Sequence, residues 1–314
     1  MRNVMRLAVV CCILVLAGCG ISQTSGGKES SKQQVIVNPN SQKVTVPINP
    51  KRIADLSGST EELLLLGIKP IASANADYGD RKVFSPTIKD PLGKDTVNLG
   101  WYGEAISVEA VMSVEPDLII LGSLFNQEMY DQLSKIAPTV IVPHPYYEWR
   151  NRLDFLAKLL GEVDKKDKWL ETYESKVAAW KKKLEPILQG ESLAVIETYP
   201  KNLVVYLSTG TAELVYKDLG IKKATGIPEP EAWGGIQIAL EGLSTINPDH
   251  LIFMENSENK MSDSQVWTNM KAVQKKNIYK ITNVDNYNYS YTALGRMVLL
   301  DKLGQLILDK HKQS

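Results

Sequence analysis

Trp101-Tyr102-Gly103, Ile106-Ser107-Val108-Glu109-Ala110-Val111 and Val114-Glu115-Pro116-Asp117-Leu118-Ile119-Ile120 form one stretch, and Trp233-Gly234-Gly235, Ile238-Ala239-Leu240-Glu241-Gly242-Leu243 and Ile246-Asn247-Pro248-Asp249-His250-Leu251-Ile252 repeat it. Positions 101 and 233, 109 and 241, and 116 and 248 share one constant offset of 132 residues. In each copy a Trp-bearing loop leads into a short helix with apolar residues at three-residue spacing. Pro-Asp then breaks the helix before a buried strand. Ser107 is placed to cap the first helix, and the two Pro-Asp pairs read as turns with no chemistry of their own.

Two positions in the repeat ask for more than packing. Glu109 and Glu241 stand between apolar neighbours and are expected to project to solvent, one from each half. A lone helical Glu is ordinary surface, but a matched pair reads as docking acids for Arg residues on a two-fold partner. Trp101 and Trp233 lie in Gly-containing loops, where α/β lobes place ligand contacts. Both are assigned to a cleft, against the competing reading of an indole tucked under its own loop.

Outward from the repeat, short apolar strands alternate with amphipathic helices. Ile53 to Leu56, the helix Glu61 to Leu66 closing at Gly67, Pro70 to Ser73, Leu118 to Leu121, the helix around Met129 to Ile136 and Val140 to Val142 make a first α/β lobe with parallel crossovers. Leu193 to Glu197, Leu203 to Leu207, Leu214 to Leu219 and Leu251 to Met254 make a second. Between them Trp169, Tyr173, Val177, Trp180 and Leu184 mark one face of a helix from about Lys165 to Leu184, ended by Pro186 and Gly190. Its aromatics read as core rather than as a cofactor box. The fold expected is α/β, two Rossmann-like lobes joined by one long rigid helix. The divisions are an N-terminal lobe at 35–161, the connecting helix at 162–189 and a C-terminal lobe at 190–314.

The N-terminus reads as a leader. Arg2 and Arg6 precede the apolar run Leu7 to Ala17, and Leu16-Ala17-Gly18-Cys19 follows. The run is too short to span a bilayer, which takes about 20 residues, so 1–18 is expected to be a signal peptide. Residues 19–34, rich in Ser, Gly, Lys and Gln, are expected to be a tether. Val35-Ile36-Val37 and Val44-Thr45-Val46 then predict a hairpin around Asn38-Pro39-Asn40. Losing the leader takes Cys11 and Cys12 with it, leaving Cys19 alone and an internal disulfide impossible. It also changes a charge balance of 36 against 36 into 34 against 36, without the basic excess that a phosphate backbone would demand.

These features together resemble the substrate-binding proteins that serve siderophore, haem and cobalamin importers of the ATP-binding-cassette type. The resemblance rests on Leu16-Ala17-Gly18-Cys19, the Arg52 to Gly67 opening, the paired Ser-Val-Glu to Pro-Asp-Leu-Ile-Ile segments, the long helix, and Leu214 to Ile221. It covers essentially the whole mature chain. The resemblance implies a class III periplasmic-binding-protein fold with small closing motions, diacylation of Cys19 and an anchor on the extracytoplasmic face of the cell membrane. It further implies Glu109 and Glu241 in salt bridges with Arg residues of an ABC permease dimer that works with its ATPase subunits. The binding protein itself is expected to be monomeric. No permanent cofactor or metal ligand is implied, because the iron arrives inside a ferric siderophore.

Ligand contacts are assigned to Trp101, Tyr102 and Trp233, to Tyr199, and to Tyr287 and Tyr289 in the late loop 286–291, since aromatics suit amphiphilic chelates. Arg81 and Arg150 are the cations offered. The segment after Ile120, Leu121 to Asn126, carries no cation of the kind that highly charged catecholate complexes need. A hydroxamate or citrate-hydroxamate ligand is therefore favoured over a catecholate, with cobalamin or haem as the alternative.

Other classes are weaker. A direct transition-metal binder needs converging His and carboxylate ligands, whereas only His144, His250 and His311 exist, and they are scattered. No phosphate-cradling Gly loop, nucleophile elbow or His-Glu metal motif marks an enzyme. A surface adhesin gives no reason for the matched glutamates.

Overall fold

Each half of the chain gathers its apolar strands into one sheet. The computed structural model of the chain describes residues 32–255, 261 and 264–312. The leader at 1–18, Cys19 and most of the tether at 19–34 lie outside the described residues.

The hairpin forms from β1 (Gln33–Val37) and β2 (Lys43–Pro47), paired antiparallel. Its turn residue Asn38 is buried. The Asn38 side chain accepts from Ile141 N at 2.9 Å and donates to the Thr139 carbonyl at 3.0 Å. It thereby satisfies backbone groups on a strand edge that would otherwise stay unpaired.

That edge belongs to the first sheet: β3 (Ile53–Leu56), β4 (Ala72–Ser73), β5 (Val97–Asn98), β6 (Leu118–Leu121) and β7 (Thr139–Ile141), in the order β5-β4-β3-β6-β7. All its pairings are parallel. β3 and β6 are buried throughout, as strands covered by helices on both faces must be. The order reverses between β3 and β6, which makes their carboxyl ends the switch point of a doubly wound sheet.

The second sheet is mixed. It comprises β8 (Ser192–Thr198), β9 (Leu203–Tyr206), β10 (Lys222–Lys223), β11 (Gly235–Ile238), β12 (His250–Met254) and β13 (Ile278–Ile281), in the order β11-β9-β8-β12-β13. β8, β12 and β13 are parallel, while β9 runs antiparallel to both β8 and β11. The four-residue turn after β8 forces this, because a tight hairpin can join only antiparallel strands.

The repeat organises both sheets. Asp117 accepts from the N–H groups of Lys51 and Arg52 at 2.7 and 2.9 Å, and Asp249 accepts from Ser192 N at 3.0 Å. Each Asp therefore ties its own strand to the entry of the central strand beside it, β3 or β8, a role beyond that of a turn former. The two short helices differ, however. Val108–Ser113 is an α-helix whose cap Ser107 accepts from Ala110 N at 3.1 Å. Leu240–Thr245 is a 3₁₀ helix, because Ala239 stands at the capping position and offers no acceptor.

The connecting helix runs Val163–Leu188, about 39 Å at 1.5 Å per residue. Tyr173, Val177, Trp180, Leu184 and Leu188 are buried in a core shared by residues of both sheets. Pro186 does not end it, contrary to the sequence reading. The carbonyl it leaves unpaired belongs to the exposed residue Lys182, where water can take it, and buried Leu188 secures the last turn. The stop is the left-handed pair Gln189 (φ 44°) and Gly190 (φ 73°).

The C-terminal helix Ala293–Lys312 packs along the connecting helix, where Trp180 Nε1 donates to Asp301 at 2.9 Å. Its first turn meets the N-terminal lobe. Ala293 N donates to Glu62 at 3.3 Å and Gly295 N to Glu61 at 2.7 Å, so two buried carboxylates from the helix Thr60–Leu65 satisfy orphan donors at the start of another helix. No helix among the described residues is long and apolar enough to cross a membrane. The architecture is the expected one, two α/β lobes joined by a long helix.

Candidate functional site

The carboxyl ends of both sheets carry aromatic side chains, and these meet across the lobes in a closed circuit. From the N-terminal lobe, Trp101 touches Tyr102 (ring centroids 5.4 Å apart), and Tyr102 touches Tyr146 (6.0 Å). Tyr146 meets Tyr291 edge-on at 5.1 Å, Tyr291 lies 6.1 Å from Tyr287, Tyr287 stacks on Tyr78 at 4.2 Å, and Tyr78 returns to Trp101 at 5.4 Å. Tyr287 and Tyr291 come from the C-terminal side. The contact is reinforced by Tyr78 N donating to Asn288 Oδ1 at 2.8 Å and Asn288 Nδ2 donating to Asp77 at 2.9 Å.

Both repeat tryptophans stand at this rim, and the same device holds each. A Cβ built on Gly103 would lie 2.6 Å from the Trp101 ring, and one on Gly235 only 2.1 Å from the Trp233 ring. The glycine two residues on thus lets each indole fold over its own backbone while staying half-buried. Each indole is covered by its own loop and still keeps part of its surface at the rim.

A chain of hydroxyls extends the circuit over the second sheet. Tyr199 and Tyr287 hydroxyls are 2.9 Å apart, Tyr287 and Tyr206 hydroxyls 3.3 Å, and Tyr206 donates to Glu197 Oε2 at 2.6 Å. Tyr206 also meets Trp233 edge-on at 6.0 Å. Burial raises the phenols of Tyr199, Tyr206 and Tyr287 and pushes Tyr146 up to about 12. In the absence of a metal these groups stay protonated at neutral pH, suited to hydrogen bonding and stacking.

The two cations offered from sequence have different fates. Arg81 lies over Trp101 at 4.5 Å and Tyr78 at 4.8 Å, and pairs with Glu104 at 3.1 Å, so it belongs to the circuit with its charge offset. Arg150 does not join the circuit. Asp218 at 2.7 Å and Glu213 at 3.4 Å hold it, beside fully buried Arg296, which bonds the same two acids at 2.6 and 3.1 Å. Burial would raise the Asp218 carboxyl, but Arg296 and Arg150 hold it below its ordinary value. A recess of about 290 Å³ opens between the lobes there, lined in part by Tyr147, Arg150, Ser208 and Gly234. A larger one of about 400 Å³, lined in part by Leu184, Leu188 and Ile221, lies at the opposite, amino end of β8 and has no convergent aromatic groups.

Of the remaining assignments, Tyr102 is nearly buried within the N-terminal lobe and contributes a ring edge. Tyr289 packs against the main core instead of joining the circuit. The late segment is not a loop: Asn283–Tyr289 is a helix whose Thr282 cap and Asp285 form a capping box, and its turn separates Tyr287 from Tyr289. The circuit and its hydroxyl chain also contain Tyr78, Tyr146, Tyr206 and Glu197, which sequence reasoning did not single out, and Tyr291, which ends the segment 286–291 that it did. Glu109 and Glu241 lie on opposite lobes, outside the circuit, the first exposed and bonded by Ser107 at 2.9 Å.

His250 is buried, 2.8 Å from both Tyr279 and Glu191, and no cluster of three metal-ligating residues occurs among the described residues.

Residues 57–284 match the family described as periplasmic binding protein. The probable siderophore-binding lipoprotein YfiY of Bacillus subtilis is 27% identical over 87% of this chain and 88% of its own. The iron(3+)-hydroxamate-binding protein FhuD of the same organism is 28% identical over 88% of each. Among solved structures, the FhuD fold-family periplasmic binding protein component of a Fep/Fec-like ferrichrome ABC transporter from Bacillus subtilis superposes with a TM-score of 0.73 at 25% identity, over 86% of this chain and 98% of that one.

Proposed function

The chain belongs to the periplasmic binding protein family, and on that premise we propose that it captures a ferric siderophore between its lobes and hands it to an ABC permease with its ATPase subunits. The observation that carries this is the aromatic circuit across the carboxyl ends of both sheets, with Trp233, Tyr199 and Tyr206 continuing it. Such a wall offers broad apolar faces with hydroxyls at their edges, matching a chelate whose metal is already wrapped in oxygen ligands and apolar arms. Arg81, with Glu104 bound to it, brings little free positive charge. That favours a hydroxamate or citrate-hydroxamate over a trianionic catecholate.

The rest of the reading follows from that role. Cys19 carries the lipid after removal of 1–18, and 19–34 tethers a monomer to the extracytoplasmic face of the membrane. The lobes occupy 35–161 and 190–314 on either side of the 162–189 helix. Trp101, Tyr102, Trp233, Tyr199, Tyr287 and Arg81 touch the ligand, while Glu109 and Glu241 dock. Tyr289 and Arg150 are assigned instead to structural support.

The test is a titration of Trp fluorescence in the chain from residue 22 with ferric hydroxamates, ferric catecholates, ferric citrate, haem and cobalamin. Saturable quenching by a ferric hydroxamate, weakened in Trp101→Ala and Trp233→Ala, is expected. Binding of cobalamin or haem alone would move the chain to those ligands, and binding of none by a folded sample would overturn the reading.

A further inference from the structure

Glu197 sits one residue from the carboxyl end of β8, paired in register with Met254 of β12, at the point where the second sheet's order reverses. It is 3% exposed and has no ion pair among the described residues. Its neighbours are phenols: Tyr206 donates to it at 2.6 Å, and Tyr199 also bonds it. Through Tyr206 and Tyr287 it connects directly to the aromatic circuit. Lys201, two residues beyond Tyr199 in the same turn, is exposed and makes no such pair.

A carboxylate under phenolic hydroxyls, with no ion pair among the described residues, is chemistry that can receive an alkylammonium group. The charge attracts it, and the hydroxyls of Tyr199, Tyr206 and Tyr287 can accept its remaining N–H groups. Burial raises the Glu197 carboxyl above its ordinary value, a penalty that an arriving cation would relieve. The other charges at the rim point the same way. Glu104 offsets Arg81, and Glu231, which accepts from Trp233 Nε1 at 2.8 Å, adds a second acid with no ion pair among the described residues.

We propose that Glu197, with the hydroxyls of Tyr199, Tyr206 and Tyr287, forms a subsite for a protonated primary amine on the chelate, so that the preferred ligand is a siderophore with a free amine on one arm. The proposal rests on the siderophore reading above and narrows it.

The experiment uses two probes that differ at one group: a linear ferric trihydroxamate ending in a primary amine, and the same chelate with that amine acetylated. Wild-type protein is expected to bind the free amine at least about tenfold more tightly, roughly 1.4 kcal/mol. Glu197→Gln is expected to bind both alike, near the acetylated level, and Tyr206→Phe to narrow the difference. Equal binding of the two chelates by wild-type protein overturns the amine subsite without needing any variant to fold. Binding of neither overturns the hydroxamate preference and this inference with it, a result distinguishable from equal binding of both.

Discussion

Tyr78 of the N-terminal lobe and Tyr287 of the C-terminal side stack with ring centroids 4.2 Å apart and planes 21° from parallel. With the Tyr146–Tyr291 contact and the Asn288 hydrogen bonds to Tyr78 and Asp77, this pair joins the lobes at the front, while helices join them at the back. An aromatic pair of this geometry contributes about 0.5–1.5 kcal/mol beyond its burial. A double-mutant cycle with Tyr78→Ala, Tyr287→Ala and the double variant, read by urea unfolding, is expected to return a coupling of that size. Additive effects would mean that the lobes do not meet there in solution.

Arg296 is fully buried and Arg150 is not, yet both serve Glu213 and Asp218. Removing Arg296 takes away the fully buried partner of two mostly buried acids and leaves them only the more exposed Arg150 and, at Glu213, Lys217. Arg296→Met is therefore expected to destabilise by about 3–5 kcal/mol. Arg150→Met leaves Arg296 in place and is expected to lose only about 1–2 kcal/mol. Chelate affinity at a temperature where both fold should be near wild type. A tenfold loss of affinity in Arg150→Met would return that residue to the ligand site.

Glu62 gives a pH signature. Burial pushes its carboxyl from 4.5 up to about 7; Arg152, 3.7 Å away, offsets only part of this, and Glu61 and Asp55 repel it further. Between those two values the folded chain keeps a proton that the unfolded chain has released. The stability tied to this group is thus fully present below about pH 4.5 and declines as pH rises through about 7. The wild-type unfolding free energy is expected to fall by on the order of 1–3 kcal/mol from pH 5 to 7.5. Glu62→Gln should flatten that slope, leaving the part due to Glu61, whose carboxyl burial also raises. An unchanged slope would show that Glu62 stays ionised throughout.

How far the sequence carried these conclusions depended on distance along the chain. Ile53–Leu56 and Leu118–Leu121 were legible because a strand buried on both faces needs a local apolar run. The aspartates of the repeat were read only as turns, because their partners at Lys51, Arg52 and Ser192 lie more than fifty residues away. The pairing of Arg150 with Asp218 was hidden for the same reason, the two being 68 residues apart. Tyr199 and Tyr287 were found from their segments alone, but Tyr78 and Tyr206 acquire meaning only when the lobes bring them to Tyr287. Glu197 looked like one more strand residue until its phenolic shell was visible.

The paired glutamates remain the sharpest link from repeat to partner. Glu109 is exposed on a capped α-helix, its carboxyl held below its ordinary value by its own N–H and by Ser107; Glu241 is exposed on an uncapped 3₁₀ helix. Neither touches the aromatic circuit, so Glu109→Ala and Glu241→Ala are expected to leave chelate affinity within about twofold, as rim charges that contact no ligand should. In vesicles carrying the permease and its ATPase, each variant should lower chelate uptake, and the double variant should lower it by about tenfold or more, because truncating one side of an interfacial charge pair leaves the partner's Arg unpaired. Glu241→Ala is expected to be the milder, since its helix lacks the cap that fixes Glu109. Wild-type uptake by the double variant, with binding intact, would remove these residues from the docking surface and leave the repeat explained by the strand-tying aspartates alone.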